Sequence, residues 1–466
     1  MTTQGLEAAT EKMRSAGVPG VAIDVFSRFH EQVRSQVTGL IPEDSISPLE
    51  QVTRLDDVVA GSAGAIDDVA IREALGRTVI IKLNGGLGTG MGIQGPKSAL
   101  PVRDGLTFLD IIARQVLALR RRHDVETPLL LMNSFRTREQ SLDILGRYDD
   151  LPVDDLPLDF LQSMEPKLRA DDLSPVQWPD DPELEWCPPG HGDLYVALHT
   201  SGLLDRLRER GDRYAFLSNA DNLGATCEGA VPAWMAANGI PYVTEVCPRT
   251  HNDRKGGHLA VRRSDGRLVL RDSAAVAPGE DHYFQDTERH PWFHANNLWI
   301  DLDVLARHLG ERGGILGLPI IVNRKTVDPT RPDSTPVIQI ESSMGAAVEL
   351  FEGSRALAVD RSRFRPVKTT NELLLIRSDL YRLTPECEVE STITHPEPFI
   401  DLGPAYRHVE GFEQRFRSGV PSVRDCTSLR VEADATFGAD VVCTGDVRVT
   451  GGVRTIPDGA HLEGDV

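Results

Sequence analysis

The chain has 466 residues and carries 50 Lys plus Arg against 70 Asp plus Glu, a formal net charge of −20. That balance argues against nucleic acid as the main partner, which would need a basic face against phosphates, and 40% hydrophobic residues exclude a disordered chain. Six cysteines without a Cys-x-x-Cys pair, no signal-like leader and no run of eighteen apolar residues lead to the expectation of a cytoplasmic protein off the membrane.

At about 150 residues per domain the length suggests three parts, and the pattern changes twice along the chain. Residues 1–76 read as a helical segment packed on the neighbouring core domain. Phe26, Phe29 and Val33 recur at helical spacing, Leu40-Ile41-Pro42 stops them, and short acidic helices come next. Residues 77–384 alternate short runs of Val, Ile and Leu with longer helical stretches. Val79-Ile80-Ile81, Leu129-Leu130-Leu131-Met132, Tyr214-Ala215-Phe216-Leu217, Tyr242 to Val246 and Pro319 to Val322 are the strand candidates. Such a pattern predicts an α/β fold, a mainly parallel sheet covered by helices on both faces, with ligands beyond the carboxyl ends of the strands. In residues 385–466, Val431, Phe437, Cys443 and Val449 are spaced by six, and Ile456 and Leu462 repeat the step after a shift of one. That step predicts a short left-handed parallel β-helix, the alternative being an antiparallel meander.

Only seven of the 50 basic residues are lysine: Lys12, Lys82, Lys97, Lys167, Lys255, Lys325 and Lys368. A compact ammonium and a planar guanidinium are not interchangeable, so each lysine in so Arg-biased a chain marks a position of interest. Lys12 lies in a polar helical stretch and reads as solvated. Most of the others fall in the segments below.

The most informative stretch runs from Lys82-Leu83-Asn84-Gly85-Gly86-Leu87-Gly88 to Gly95-Pro96-Lys97-Ser98. Glycines packed behind a strand let backbone N–H groups approach a phosphate. It is neither a dinucleotide fingerprint, since the G-x-G-x-x-G that begins at Gly90 starts well beyond the end of the strand, nor a P-loop, since Pro96 removes a needed N–H. Asp221 follows the strand 214–217, and a lone carboxylate beside substrate phosphates suits Mg²⁺; the alternative is a turn aspartate capping a helix. No Ser/His/Asp or Cys/His arrangement for nucleophilic catalysis stands out.

The glycine loop resembles the nucleotide loop of the eukaryotic-type UTP–glucose-1-phosphate uridylyltransferases (UDP-glucose pyrophosphorylases). Pro188-Pro189-Gly190-His191-Gly192-Asp193, Ser218 to Gly224, Lys255-Gly256-Gly257, Asn296-Asn297-Leu298-Trp299 and Arg363 to Thr370 resemble further family blocks, in family order. The resemblance implies a nucleotidyltransferase fold, Rossmann-like and GT-A-like. It also implies an enzyme that makes UDP-glucose and pyrophosphate from UTP and glucose 1-phosphate with Mg²⁺. In that reading Lys97 and Lys368 are catalytic and Asp221 holds the metal. Leu83, Asn84, Gly85, Gly86, Gln162, Gly190, Asn219 and Asp221 bind the nucleotide. His191, Lys255, Gly256, Asn296 and Asn297 meet the sugar phosphate. Gln94 and Lys167 depart from the family, which usually has Lys and Arg there. Another sugar 1-phosphate (N-acetylglucosamine or galactose) and a non-catalytic nucleotide-sugar sensor are the alternatives. Some family members form oligomers through the β-helix, so a homo-oligomer by that route is a further expectation.

Overall fold

The computed structural model describes residues 4–62, 66–250, 253 and 256–466. Its central sheet is built on eight strands: β1 (Thr53–Arg54), β2 (Thr78–Asn84), β3 (Leu129–Asn133), β4 (Asp159–Leu161), β5 (Tyr214–Asn219), β6 (Tyr242–Pro248), β7 (Trp292–Asp301) and β8 (Arg355–Ala358). They lie in the order β1-β8-β6-β7-β5-β2-β3-β4. Every pairing along this path is parallel except the two made by β7, which runs antiparallel to β5 and to β6. All seven residues of β2 are buried, as expected of a strand covered on both faces. Val79, Ile81 and Leu83 point into one core and Ile80 into another, so the pleat sorts alternate side chains between two helical layers. On the Ile80 side lies the helix α1 (Phe108–His123), started by a Thr107/Asp110 capping box and burying Ile111, Ile112 and Val116.

Three elements differ from the sequence reading. The segment before residue 76 is not purely helical, because Ile46–Pro48 pairs with His258–Arg262 and β1 joins β8. The run Pro319 to Val322 is not a strand of the central sheet. It leads into Ile321–Thr326, which pairs with Pro336–Glu341 in a separate three-stranded sheet. The helices Gln4–Ser15 and Gly20–Arg34 pack on that sheet, burying Phe26 and Phe29 with Leu168, Ile338 and Ile340. Lys12 is not simply solvated. It pairs with Glu185 and lies 5.1 Å from the centre of the Trp186 ring, so the first helix is tied to the segment Pro182–Cys187.

From Phe399 onward every strand pairing is parallel, which excludes a meander. Val431 pairs with Val449, Phe437 with Ile456, and Cys443 with Leu462. These are the six residues of the hexapeptide pattern. All are buried, stacked coil on coil across two parallel sheets.

Candidate active site

The carboxyl ends of β2, β3 and β5 open on one side of the sheet, and the segments that leave them build the site. After β2 the chain enters the glycine loop. The Asn84 side chain is not free for a ligand: its Nδ2 donates to Asn133 Oδ1 (2.8 Å) and Ser141 Oγ (2.8 Å), and its Oδ1 accepts from Ser98. Those bonds bind the start of the loop to β3 and to the short helical turn at Lys97. Beyond the asparagine, Gly85 lies against the Gln162 amide. A Cβ on Gly85 would come within 2.7 Å of both amide atoms of Gln162. Gln162 is held at the end of β4 by its N–H to Asn133 O (2.8 Å). Gly85 and Gln162 are therefore neighbours, and with Gly86 they line a cavity of about 350 Å³ whose wall includes Trp186 and Pro188, whereas Leu83 turns its side chain into the core and its C=O accepts from Ala220 N–H (3.0 Å). Lys167, the departure from Arg, lines the same cavity, and its Nζ donates to Val327 O (2.9 Å).

At the centre of the site is Asp221, in the turn after β5. Its Oδ2 accepts from Lys97 Nζ (2.8 Å) and from Lys368 Nζ (3.2 Å). Its Oδ1 is buried with no partner. Burial alone would raise the carboxyl pKa, but the ammonium groups of Lys368 and Lys97 outweigh it and hold the pKa below the usual value. Residues 97, 221 and 368 thus meet from three distant segments. Val367 N–H donates to Asp221 O (3.2 Å), and Asn222 forms a bridge with Pro366, which sets Lys368 beside the turn.

Gly190 has φ +78°, and a Cβ there would meet Ser342 O at 2.6 Å, so only glycine suits this close approach. The next residue, His191, accepts the Met344 N–H on Nδ1 (3.0 Å). That bond puts the neutral imidazole's proton on Nε2. Burial, with Lys368 nearby, lowers the His191 pKa to about 4.

Asn296 and Asn297 separate sharply. Asn296 sits in β7 with φ +56°, a conformation that non-glycine residues rarely adopt, where the β6–β7 register shifts. Its Nδ2 donates to Asn219 Oδ1 (3.2 Å), at the end of β5. Asn297 is fully buried on the other side. Its amide donates to Glu245 Oε2 (3.0 Å) and Arg363 O (3.2 Å) and accepts from Asn222 (3.3 Å). With its hydrogen-bonding capacity spent inside, Asn297 is removed from the sugar-facing set. Gly256 packs under Phe293, whose ring would be 1.9 Å from a Cβ. Lys255 lies outside the described residues.

The sequence reading passed over the buried frame beneath the site. Glu245, the one charged residue in β6, accepts from Arg363 Nε (2.9 Å), Arg363 Nη2 (2.7 Å), Trp299 (3.1 Å) and Asn297. Asn222 accepts the Arg365 N–H (2.9 Å) and donates to Arg363 O (3.0 Å). A lone carboxylate inside an apolar strand is the signal that could have found it.

The family model described as UTP–glucose-1-phosphate uridylyltransferase matches residues 23–444. The chain belongs to that family. The curated relative of that name from Solanum tuberosum is 38% identical over 430 residues, 91% of this chain and 84% of its own. The one from Saccharomyces cerevisiae is 38% identical over 394 residues, 84% and 77% of the two chains. A crystal structure of UDP-glucose phosphorylase from Trypanosoma brucei superposes with a TM-score of 0.88 at 40% identity, covering 99% of this chain and 100% of that one. A mutant of the Leishmania major UDP-glucose pyrophosphorylase in complex with UDP-glucose gives 0.90 at 40% identity, over 100% of each chain.

Proposed function

We propose that this site joins UTP and glucose 1-phosphate into UDP-glucose and pyrophosphate. An oxygen of the sugar phosphate attacks the α-phosphorus in line. The bond to the β-phosphate oxygen breaks, and pyrophosphate leaves with that electron pair. Both substrates are polyanions, so the task is positioning and charge neutralisation rather than nucleophilic activation. The observation that carries the reading is the meeting of Lys97 and Lys368 on one oxygen of Asp221 while the other oxygen is buried without a partner. The trio leaves one net positive charge in a chain of net charge −20.

The family implies a divalent metal, and Mg²⁺ fits the donor set. Among the described residues no three His, Cys, Asp or Glu side chains form a metal cage. Beside Lys97 and Lys368 one hard oxygen, Asp221 Oδ1, stands unused in a buried setting. Mg²⁺ typically takes one or two carboxylates and completes its shell with phosphates and water, and when bound it would neutralise phosphate charge. Lys97, after the glycine loop, takes the β- and γ-phosphates, and Lys368 spans the reacting phosphates. His191 offers an Nε2–H to the substrate phosphate as a neutral donor. The backbone of Leu83 to Gly86, the Gln162 amide and Gly190 hold uracil, and an amide both donates and accepts as the imide edge requires. Asn219 and Asn296, joined to each other, serve the ribose and sugar side together with Gly256 and Lys255.

The coil from Phe399 onward is read as a left-handed β-helix, supported by the hexapeptide step and the parallel pairings. Its open last strand is the face for association with a second copy. The proposal also divides the chain at residues 384/385 and at 76/77, where the N-terminal segment lends β1 to the edge of the central sheet, and adds a cytoplasmic location. Among the described residues no helix is long and apolar enough to cross a membrane.

Pyrophosphate release by the purified protein tests the reading, with UTP, Mg²⁺ and either glucose 1-phosphate, galactose 1-phosphate or N-acetylglucosamine 1-phosphate. Release with glucose 1-phosphate is the expected result. Release with another sugar alone would keep the chemistry and overturn the sugar. Tight UTP binding with no release from any sugar would leave a sensor.

A further inference from the structure

Lys82 has no part in the steps above, yet its placement is unusual. It is 2% exposed, on the face of β2 that points with Ile80 and Phe216 into an apolar core. Its Nζ donates to Ser218 Oγ (2.7 Å) and Ala225 O (2.7 Å) and lies 5.4 Å from the centre of the Phe216 ring. Both hydrogen-bond partners are neutral. Arg363, the other basic group buried beneath the site, is instead neutralised by Glu245. Burial pulls the Lys82 pKa down to about 7. Burying an ammonium without a paired anion costs stability, whatever it holds.

The role of Lys82 can be read from what it holds. Ser218 and Ala225 flank the turn that carries Asp221. On its outer side the turn is fastened to the Arg363–Val367 segment, through Arg363 Nη2 to Thr226 O (2.9 Å) and through both ends of the Asn222 amide. On its inner side the side chain reaching it from β2 is Lys82. Two residues further along the same strand the chain becomes the glycine loop.

We propose that Lys82 is a positioning residue. By drawing the Ala225 carbonyl onto the strand that feeds the nucleotide loop, it fixes the aim of the unpaired Asp221 oxygen relative to the phosphates. The inference rests on the reading of Asp221 as the carboxylate that holds the cation.

The test is Lys82→Met, which keeps the length of the side chain and removes the donor. Outer partners that orient a metal-holding carboxylate typically govern about 10- to 100-fold in metal affinity or activity. At least a tenfold rise in the Mg²⁺ needed for half-maximal turnover is expected, with kcat at ordinary Mg²⁺ falling alongside it. Binding of UTP without Mg²⁺ should change less than about twofold and Tm less than about 4 °C. A lowered Tm with an unchanged Mg²⁺ requirement would mean a structural role only and overturn the inference. If Lys82→Met fails to fold, Lys82→Gln, with a donor on a shorter arm, is read on the same scales. An unchanged Mg²⁺ titration in that variant likewise overturns it. Asp221→Ala, run in parallel, separates the two layers. If Asp221→Ala leaves the Mg²⁺ titration untouched, the reading of Asp221 fails and the inference fails with it. If Asp221→Ala abolishes Mg²⁺-dependent turnover or shifts its titration and Lys82→Met leaves the titration in place, the role of Lys82 alone fails.

Discussion

The central sheet is mainly parallel and the C-terminal coil wholly so, and they handle parallel pairing in opposite ways. In the central sheet helices and long segments separate successive strands, so the carboxyl ends are left open and the chain can set unrelated residues there. Asp221 follows one strand, the glycine loop follows another, and Lys368 arrives from a segment more than a hundred residues away. In the coil, short corners bring each strand back over the last, and the pairs Val431/Val449, Phe437/Ile456 and Cys443/Leu462 fill the interior with one buried side chain above another. Open strand ends gather chemistry and make little of their own stability. The stacked interior does the reverse.

That contrast can be broken from either side. Asp221→Ala should abolish Mg²⁺-dependent turnover, and Lys368→Ala should lower kcat by ~100-fold or more, the usual cost of removing a preorganised charge. Neither should move Tm greatly in a thermal melt, and for Lys368 the reason is plain, since its side chain is 56% exposed. Turnover within about threefold of the parent for Lys368→Ala would contradict the role given to it. Phe437→Ala should show the opposite signature. Removing a fully buried aromatic costs about 3–5 kcal/mol, seen as a lower denaturation midpoint, while kcat of the folded fraction stays at the parent value.

Two adjacent asparagines sharpen the comparison within a single strand. Asn297→Ala leaves Glu245 and Asn222 short of a partner deep inside, so it should cost about 1–3 kcal/mol of stability. Asn296→Gly, which suits the φ of +56° at this position, should instead raise KM for glucose 1-phosphate and leave the melting curve in place. Equal effects of the two would mean that the sides of β7 are not as distinct as drawn.

The smallest effect is the dependence on pH. Burial lowers the pKa of His191 to about 4, of His294 to about 3 and of His258 to about 2, against an ordinary 6.5. In the unfolded chain these rings take up protons below pH 6.5, and in the folded protein they resist. The unfolded state then binds more protons, and stability falls as pH drops from 6.5 toward 4. Tm measured between pH 7 and pH 5 should decline, and His258→Gln should soften the decline. His191 stays neutral across that range, so its loss of function by protonation belongs near pH 4.

The sequence made some of this legible for physical reasons. Short all-apolar strands between helices have few other solutions, and four of the five strand candidates lie in the central sheet. The step of six survived because one buried side chain per face is all that such a coil asks for. Lys97 stood out behind the glycine loop and Asp221 behind an apolar strand, Lys368 only through the family resemblance, and nothing in the spacing said that the three touch. What stayed hidden depends on long-range contact. β7 did not read as a strand because its middle, His294 to Asn297, is polar. On a strand that reverses the local direction, that polarity faces the site on one side and the Glu245 network on the other. The strand at Ile321 was assigned to the wrong sheet because an apolar run does not name its partner.

One early contact reaches further than its distance from the chemistry suggests. Lys12 pairs with Glu185 in the segment whose Leu184 and Trp186 wall the cavity proposed for the base. Removal of the first helix by a protease would spare every residue that meets a substrate. It would nevertheless free one wall of the cavity proposed for the base, so a nick at the amino terminus is expected to be felt first as weakened discrimination among nucleotides.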